Sequence, residues 1–96
     1  MATMKPMKPA EIDKQLVKLA GWKVVRGKLE KTYKFPDFKS ALARVNQVGE
    51  LAESAEHHPD LLLGWGKMRV QLTTHDAGGI TVKDLELARQ IEALEV

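Results

Sequence analysis

Ile12, Leu16 and Leu19, with Val17 beside them, recur at the three- and four-residue spacing of a helix with one buried face. Pro9 suits the first turn of that helix, because its missing N–H would be unpaired there anyway. Gly21 is placed to end it. From there the period changes to two. Trp22 and Val24 alternate with Lys23 and Val25. Leu29, Lys31, Tyr33 and Phe35 then alternate with Glu30, Thr32 and Lys34. The glycine-bearing Arg26-Gly27-Lys28 lies between the two runs, so residues 21–35 are predicted to form a hairpin.

The helical period returns after Pro36. Phe38, Ala41, Leu42, Val45, Val48, Ala52 and Ala55 make one apolar stripe, with Asp37 positioned as N-cap. This helix should end near Glu56 or His57, since Pro59 disfavours helical geometry at His58. Asp60 to Gly66, a run of leucines followed by Trp65, reads as a loop. Met68, Val70 and Leu72 alternate with Lys67, Arg69, Gln71 and Thr73 and predict a third strand. His75 to Gly79 reads as a turn, because the paired glycines adopt positive φ at low cost. A short fourth strand is expected at Ile80. Thr81 and Asp84 have the spacing of a capping box, and Leu87, Ala88, Ile91 and Leu94 give the last helix its apolar face. Residues 1–8 are expected to be a frayed tail. The order α-β-β-α-β-β-α predicts an α+β, two-layer domain: a four-stranded antiparallel sheet covered on one face by three helices.

Composition narrows the function classes. A chain of 96 residues is sized for a single domain, 1–96, and 44% hydrophobic with 29% charged residues argues against disorder. There is no cysteine, which excludes disulfides, thiol catalysis and cysteine-ligated zinc. The net charge is +2, but 15 basic residues are interspersed with 13 acidic ones. No clustered basic face appears, so direct nucleic-acid binding is not expected. No apolar run has the length to span a bilayer, and the first residues lack an apolar signal region. A soluble, cytoplasmic protein is expected, with no membrane association.

The chemistry lies in the 3 histidines. His57 and His58 are adjacent at the end of the long helix, and His75 follows the third strand. Imidazole is the side chain best suited to move protons near neutral pH. Glu53 lies one helical turn before His57 and would orient it. Pro59 holds His58 extended, so the two imidazoles should point differently. Adjacent imidazoles rarely converge on one ion and no HExxH spacing exists, so no metal is expected. Taken alone, Asp84 reads as a first-turn acid and Trp22 and Trp65 as core residues.

Larger spacing makes the pattern specific. Glu53-Ser-Ala-Glu-His57-His58-Pro59 is followed after five residues by Trp65, after nine more by His75 and after eight more by Asp84. Around it stand Gly21-Trp22, Phe35-Pro-Asp-Phe38, Thr74-His75-Asp76-Ala-Gly-Gly-Ile-Thr81 and Leu87-Ala88 with Ile91. Over roughly residues 10–94 this resembles the pterin-4a-carbinolamine dehydratase family. The resemblance implies a lyase that converts 4a-hydroxytetrahydrobiopterin to quinonoid dihydropterin and water, in tetrahydrobiopterin recycling. Catalysis would come from His57, His58 and His75, with Glu53, Pro59, Trp22, Trp65 and Asp84 around the substrate. That reaction requires no cofactor, metal or covalent nucleophile. In this scheme His58 and His75 exchange protons with the pterin, and His57, held by Glu53, binds or polarises it. Some members of the family instead act as dimerisation cofactors of other proteins through a helix surface, so a non-catalytic binding or assembly module is the alternative.

The family also implies a homodimer or homotetramer, and an exposed sheet edge and a thin core favour the same outcome. Sedimentation at micromolar concentration should therefore give a mass well above the 10.7 kDa of one chain. An active, strictly monomeric species would refute this.

Overall fold

The computed structural model describes residues 5–94. Among them the elements are α1 (Pro9–Leu16), β1 (Lys23–Val25), β2 (Lys28–Lys34), α2 (Phe38–Ala55), β3 (Asp60–Gly64), β4 (Lys67–Leu72) and α3 (Val82–Glu92), with a 3₁₀ turn at His75–Ala77. The strands form one antiparallel sheet in the order β1-β2-β4-β3. This is the predicted α+β architecture and element order. No helix of the described residues is long and apolar enough to cross a membrane.

Register explains the two faces of the sheet. Leu29 opposes Leu72, Lys31 opposes Val70 and Tyr33 opposes Met68. Leu29, Met68, Val70 and Leu72 are fully buried under the helices, against Val48, Leu85, Leu87 and Ile91. The alternate positions face the other way and are mostly polar, with Leu62 and Val25 the apolar exceptions. There Gln71 donates to Glu30 across 2.8 Å, and Lys28 lies 3.8 Å from Asp60. Among the described residues, Lys31 is the one charged strand residue on the covered face. Its ammonium donates to the Ala20 carbonyl and to Glu92, sits 4.6 Å above the Tyr33 ring, and so ties the end of α3 to the sheet. Tyr33 also donates to Glu92.

Four details differ from the sequence reading. Asp60–Gly64 is a strand, not a loop. Three consecutive leucines show no alternation, so the period-two signal was missing. In the sheet Leu61 and Leu63 oppose Val70 and Met68, while Leu62 points outward and is 46% exposed. The fourth strand is therefore β3. Ile80 forms no strand, and only an isolated bridge joins Thr74 to Gly79. Helix α1 ends at Leu16 rather than at Gly21, because the chain tightens into i→i+3 turns from Lys18 to Gln15 and from Leu19 to Leu16. These bury Leu19 while Val17 stays exposed. Finally, the expected tail lies partly outside the described residues, and within them Met7 is fastened by its N–H to the Ile80 carbonyl at 2.7 Å.

Asp37 caps α2 as predicted, accepting from the Ser40 N–H at 2.8 Å. Hydrogen bonds from Ser40 hold the Asp37 carboxyl below its ordinary value of 3.8. The capping contribution is therefore present above that ordinary value and is lost as pH falls through the lowered one. Asp37→Ala should lower the melting temperature at neutral pH. The gap to the parent protein should close once the pH is taken below the aspartate range, and a gap independent of pH would overturn the assignment.

Candidate active site

The end of α2 sets the first part of the site. Glu56 takes a left-handed conformation, φ +51°. Its N–H donates to the Glu53 carbonyl at 3.2 Å, and the His57 N–H reaches back to the Ala52 carbonyl at 3.1 Å. This crossed pair is a Schellman stop, usually built on glycine. It turns the chain sharply and buries the His57 side chain beneath the start of α3, while His58 remains exposed. Pro59 follows, and β3 begins at Asp60.

The start of α3 sets the second part. Thr81 is the N-cap and Asp84 completes the predicted capping box, accepting from the Thr81 N–H at 2.9 Å. Asp84 does more than cap. It is wholly buried, accepts from the Thr74 hydroxyl at 2.9 Å, and pairs through its other oxygen with His57 Nε2 at 2.5 Å. Facing a carboxylate, Nε2 donates, which leaves Nδ1 as the ring nitrogen for a substrate. The Thr74 proton is spent on Asp84, so the Thr81 hydroxyl donates to Thr74 across their 2.7 Å contact.

The third part is the turn after β4. His75 opens the 3₁₀ turn and is exposed, with no side-chain hydrogen bond given to it by any neighbour among the described residues. Antiparallel pairing of β3 with β4 brings the two histidine segments to the same end of the sheet, since Asp60 opposes Gln71. Between them opens a cleft of about 270 Å³, whose walls include His57, His58, Thr74, His75, Asp76 and Lys83. Among the described residues no group of three or more His, Cys, Asp or Glu is arranged to hold a metal ion.

Several sequence-predicted residues take other places. Glu53 pairs with His58 Nε2, not with His57, because the left-handed turn at Glu56 breaks the helical spacing that would have brought Glu53 and His57 together. Asp84 is the partner of His57 instead. Trp22 is core: it is 5% exposed and packs edge-on against Tyr33 at 6.4 Å between centroids. Its Nε1 is buried without a hydrogen-bond partner among the described residues. Trp65 is 73% exposed at the β3–β4 turn. The full length of β4, about 17 Å at 3.3–3.4 Å per residue, separates it from the histidines. Neither tryptophan lines the cleft. Thr74 and Lys83 were not singled out from the sequence. The hint for Thr74 is its position directly before His75; for Lys83 there was none, because a lysine in a first helical turn is ordinary.

A sheet covered by helices on one face, with three imidazoles gathered at one end and one of them held by a buried carboxylate, defines a small α+β protein with a histidine-lined cleft. The chain belongs to the pterin 4 alpha carbinolamine dehydratase family, whose model matches residues 5–94. A relative from Thermosynechococcus vestitus is 50% identical over 90 residues, 94% of this chain and 95% of that protein. One from Sulfurisphaera tokodaii is 47% identical over 91 residues, 95% of this chain and 98% of its own length. Both are provisionally named pterin-4-alpha-carbinolamine dehydratase. Among solved structures, a transcriptional coactivator/pterin dehydratase from Brucella melitensis superposes with a TM-score of 0.89 at 30% identity, over 96% of this chain and 100% of that one. A pterin dehydratase-like RuBisCO assembly factor of the alpha-carboxysome shares the fold at TM-score 0.62 and 20% identity, over 76% of this chain and 84% of that one.

The strained stop makes a direct prediction. Left-handed backbone costs a residue with a side chain about 1–2 kcal/mol, and glycine's extra chain entropy takes back about 0.5–1. Glu56→Gly should therefore stabilise the protein by about 0.5–1 kcal/mol in urea unfolding. A destabilised variant would show that the Glu56 side chain contributes more than its backbone costs.

Proposed function

We propose that this protein dehydrates a pterin 4a-carbinolamine, and that the gathering of His57, His58 and His75 on one cleft is the observation that carries this reading. The substrate is a 4a-hydroxytetrahydropterin, with 4a-hydroxytetrahydrobiopterin the case that fits tetrahydrobiopterin recycling. The N5 proton leaves to a base, the C4a–O bond breaks as its hydroxyl is protonated, and the products are water and the quinonoid dihydropterin. An acid and a base are needed at neighbouring atoms, and imidazoles in unlike surroundings serve both roles. His58 and His75 are exposed and exchange the protons, with Glu53 orienting His58. His57 is fixed by Asp84 and offers Nδ1 to bind or polarise the pterin. Pro59 keeps the two adjacent imidazoles apart in direction. Trp65 sits too far along β4 to share this cleft in the same chain, and Trp22 supports it only through the core. A cytoplasmic homodimer or homotetramer is the form proposed.

One observation favours a second reading. Phe38 and Leu42, one turn apart on α2, are 43% and 40% exposed. They offer a helix surface of the kind a dimerisation or assembly cofactor would use. The names of the Brucella coactivator and the RuBisCO assembly factor point to such roles in those proteins.

The test is turnover of freshly made carbinolamine followed by ultraviolet absorbance. His58→Ala and His75→Ala should each lower kcat by roughly 10²–10⁴-fold, the usual worth of a positioned acid or base. Folding should change little, because both side chains are exposed. His57→Ala should raise KM more than it lowers kcat. Asp84→Asn should do less than loss of either proton-exchanging histidine, acting partly through stability. It turns an amide N–H toward His57 Nε2 and favours the opposite tautomer. If folded His58→Ala and His75→Ala both kept near-parental rates, the acid–base assignment would fail and the partner-binding reading would take its place.

A further inference from the structure

No neighbour among the described residues gives the His75 side chain a hydrogen bond, so the imidazole is placed by the backbone that carries it. That backbone is a closed loop. The Thr74 N–H donates to the Gly79 carbonyl at 3.0 Å, and the Gly79 N–H returns to the Thr74 carbonyl at 3.3 Å. One end of the loop is anchored through the Thr74 hydroxyl to buried Asp84. The other end leaves through Gly79 and Ile80, and there the N-terminal segment crosses it. The Met7 N–H donates to the Ile80 carbonyl at 2.7 Å, and the Met7 side chain packs against the core.

Gly79 marks the closest point of the crossing. Gly78 has φ +77°, the left-handed conformation that favours glycine, but Gly79 does not. Backbone conformation therefore gives no reason for the second glycine. Space does, because a Cβ at Gly79 would stand 3.0 Å from the Pro6 Cβ, inside van der Waals contact. Pro6 has a fixed φ and so loses little conformational freedom when it lies against the turn. Beyond Met7 the chain enters α1 at once, where the Lys8 N–H donates to the Glu11 carboxylate at 3.1 Å. The crossing segment is thus tied down on both sides of Met7.

We propose that Pro6 and Met7 are positioning residues for His75: they strap the turn at residues 74–80 and so set where the imidazole stands in the histidine cleft. The effect on turnover rests on the dehydratase reading. The strap goes beyond that reading by giving a role to residues that do not line the cleft. A proton passes only across a short, aligned contact, so a small displacement of the turn reaches the rate before it reaches binding. The Thr74 end of the loop is fixed by a buried carboxylate, and the strap is the corresponding restraint on the Ile80 end.

The experiment places Gly79→Ala, Pro6→Gly and the double variant in the full chain. Gly79→Ala should lower kcat about tenfold with KM little changed, because the added Cβ displaces the strap or the turn. Pro6→Gly alone should lower kcat about twofold, by loosening the strap without a clash. The double variant should recover to that level, since Pro6→Gly removes the carbon that the new methyl meets. In a His75→Ala background, Gly79→Ala should change kcat by less than about twofold, because two changes acting through one group do not add. Full kcat in a folded Gly79→Ala, an equal loss in the His75→Ala background, or no recovery in the double variant would each overturn the strap. If Gly79→Ala does not fold, Pro6→Gly decides alone, and an unchanged kcat there overturns it. Amide exchange followed by NMR keeps a failed strap apart from a failed dehydratase reading. The Met7 N–H should exchange slowly in the parent and faster in Gly79→Ala, with the His75 ring resonances shifting in step. If those changes are seen in a protein that dehydrates no carbinolamine, the dehydratase reading fails and the strap stands. A Met7 N–H that exchanges freely in the parent overturns the strap whatever the activity.

Discussion

A carboxylate wholly removed from water must be surrounded by donors, and Asp84 meets three of them from three separate segments. The Thr81 N–H comes from the entry to α3, the Thr74 hydroxyl from the chain leaving β4, and His57 from the stop of α2. Burying one unpaired charge costs several kcal/mol, so these segments are held to one another as strictly as the carboxylate is held to its donors. The capping box starts α3 in the right place. The carboxylate's other oxygen then fixes which nitrogen of His57 carries the proton and how the ring is turned. One residue thus couples a helix start, a turn and an imidazole orientation. Changing any of the three would disturb the others.

The opposite half of the site depends on backbone geometry. Glu56 holds a conformation that glycine would adopt more readily, and the resulting turn sends His57 inward and His58 outward. Two adjacent histidines in a regular helix would stand about 100° apart on one surface. Here they end in unlike surroundings, one against a buried acid and one against exposed Glu53. Difference in environment is what allows chemically identical side chains to divide acid and base roles. The edge position of β3 completes the arrangement, because its pairing with β4 returns the chain so that His75 arrives beside them.

The covered face of the sheet supplies the rigidity behind this. Its core runs without interruption from Leu29 and Leu72 to Ile91, and the Lys31–Glu92 contact pins the far end of α3. The candidate site then sits at one end of this scaffold. A fold shared by proteins named for catalysis and for assembly is in keeping with that, since a fold hosts sites and does not specify them.

The sequence by itself determined the element order, the two-layer class, both helix caps and the identity of the three histidines. Each of these depends on local spacing, which periodicity and capping chemistry make visible. It missed β3, because Leu61-Leu62-Leu63 carries no alternation and only pairing with Met68 and Val70 distinguishes its faces. It also assigned Glu53 to the wrong histidine. The i,i+4 rule holds only while the helix continues, and the left-handed turn at Glu56 moves His57 away and leaves Glu53 to His58. The 27-residue separation of His57 and Asp84 had no local signature at all. Neither did the removal of Trp65 to the far end of a hairpin. Those relations are set by strand register and by how α2 and α3 pack, and only the tertiary structure decides them.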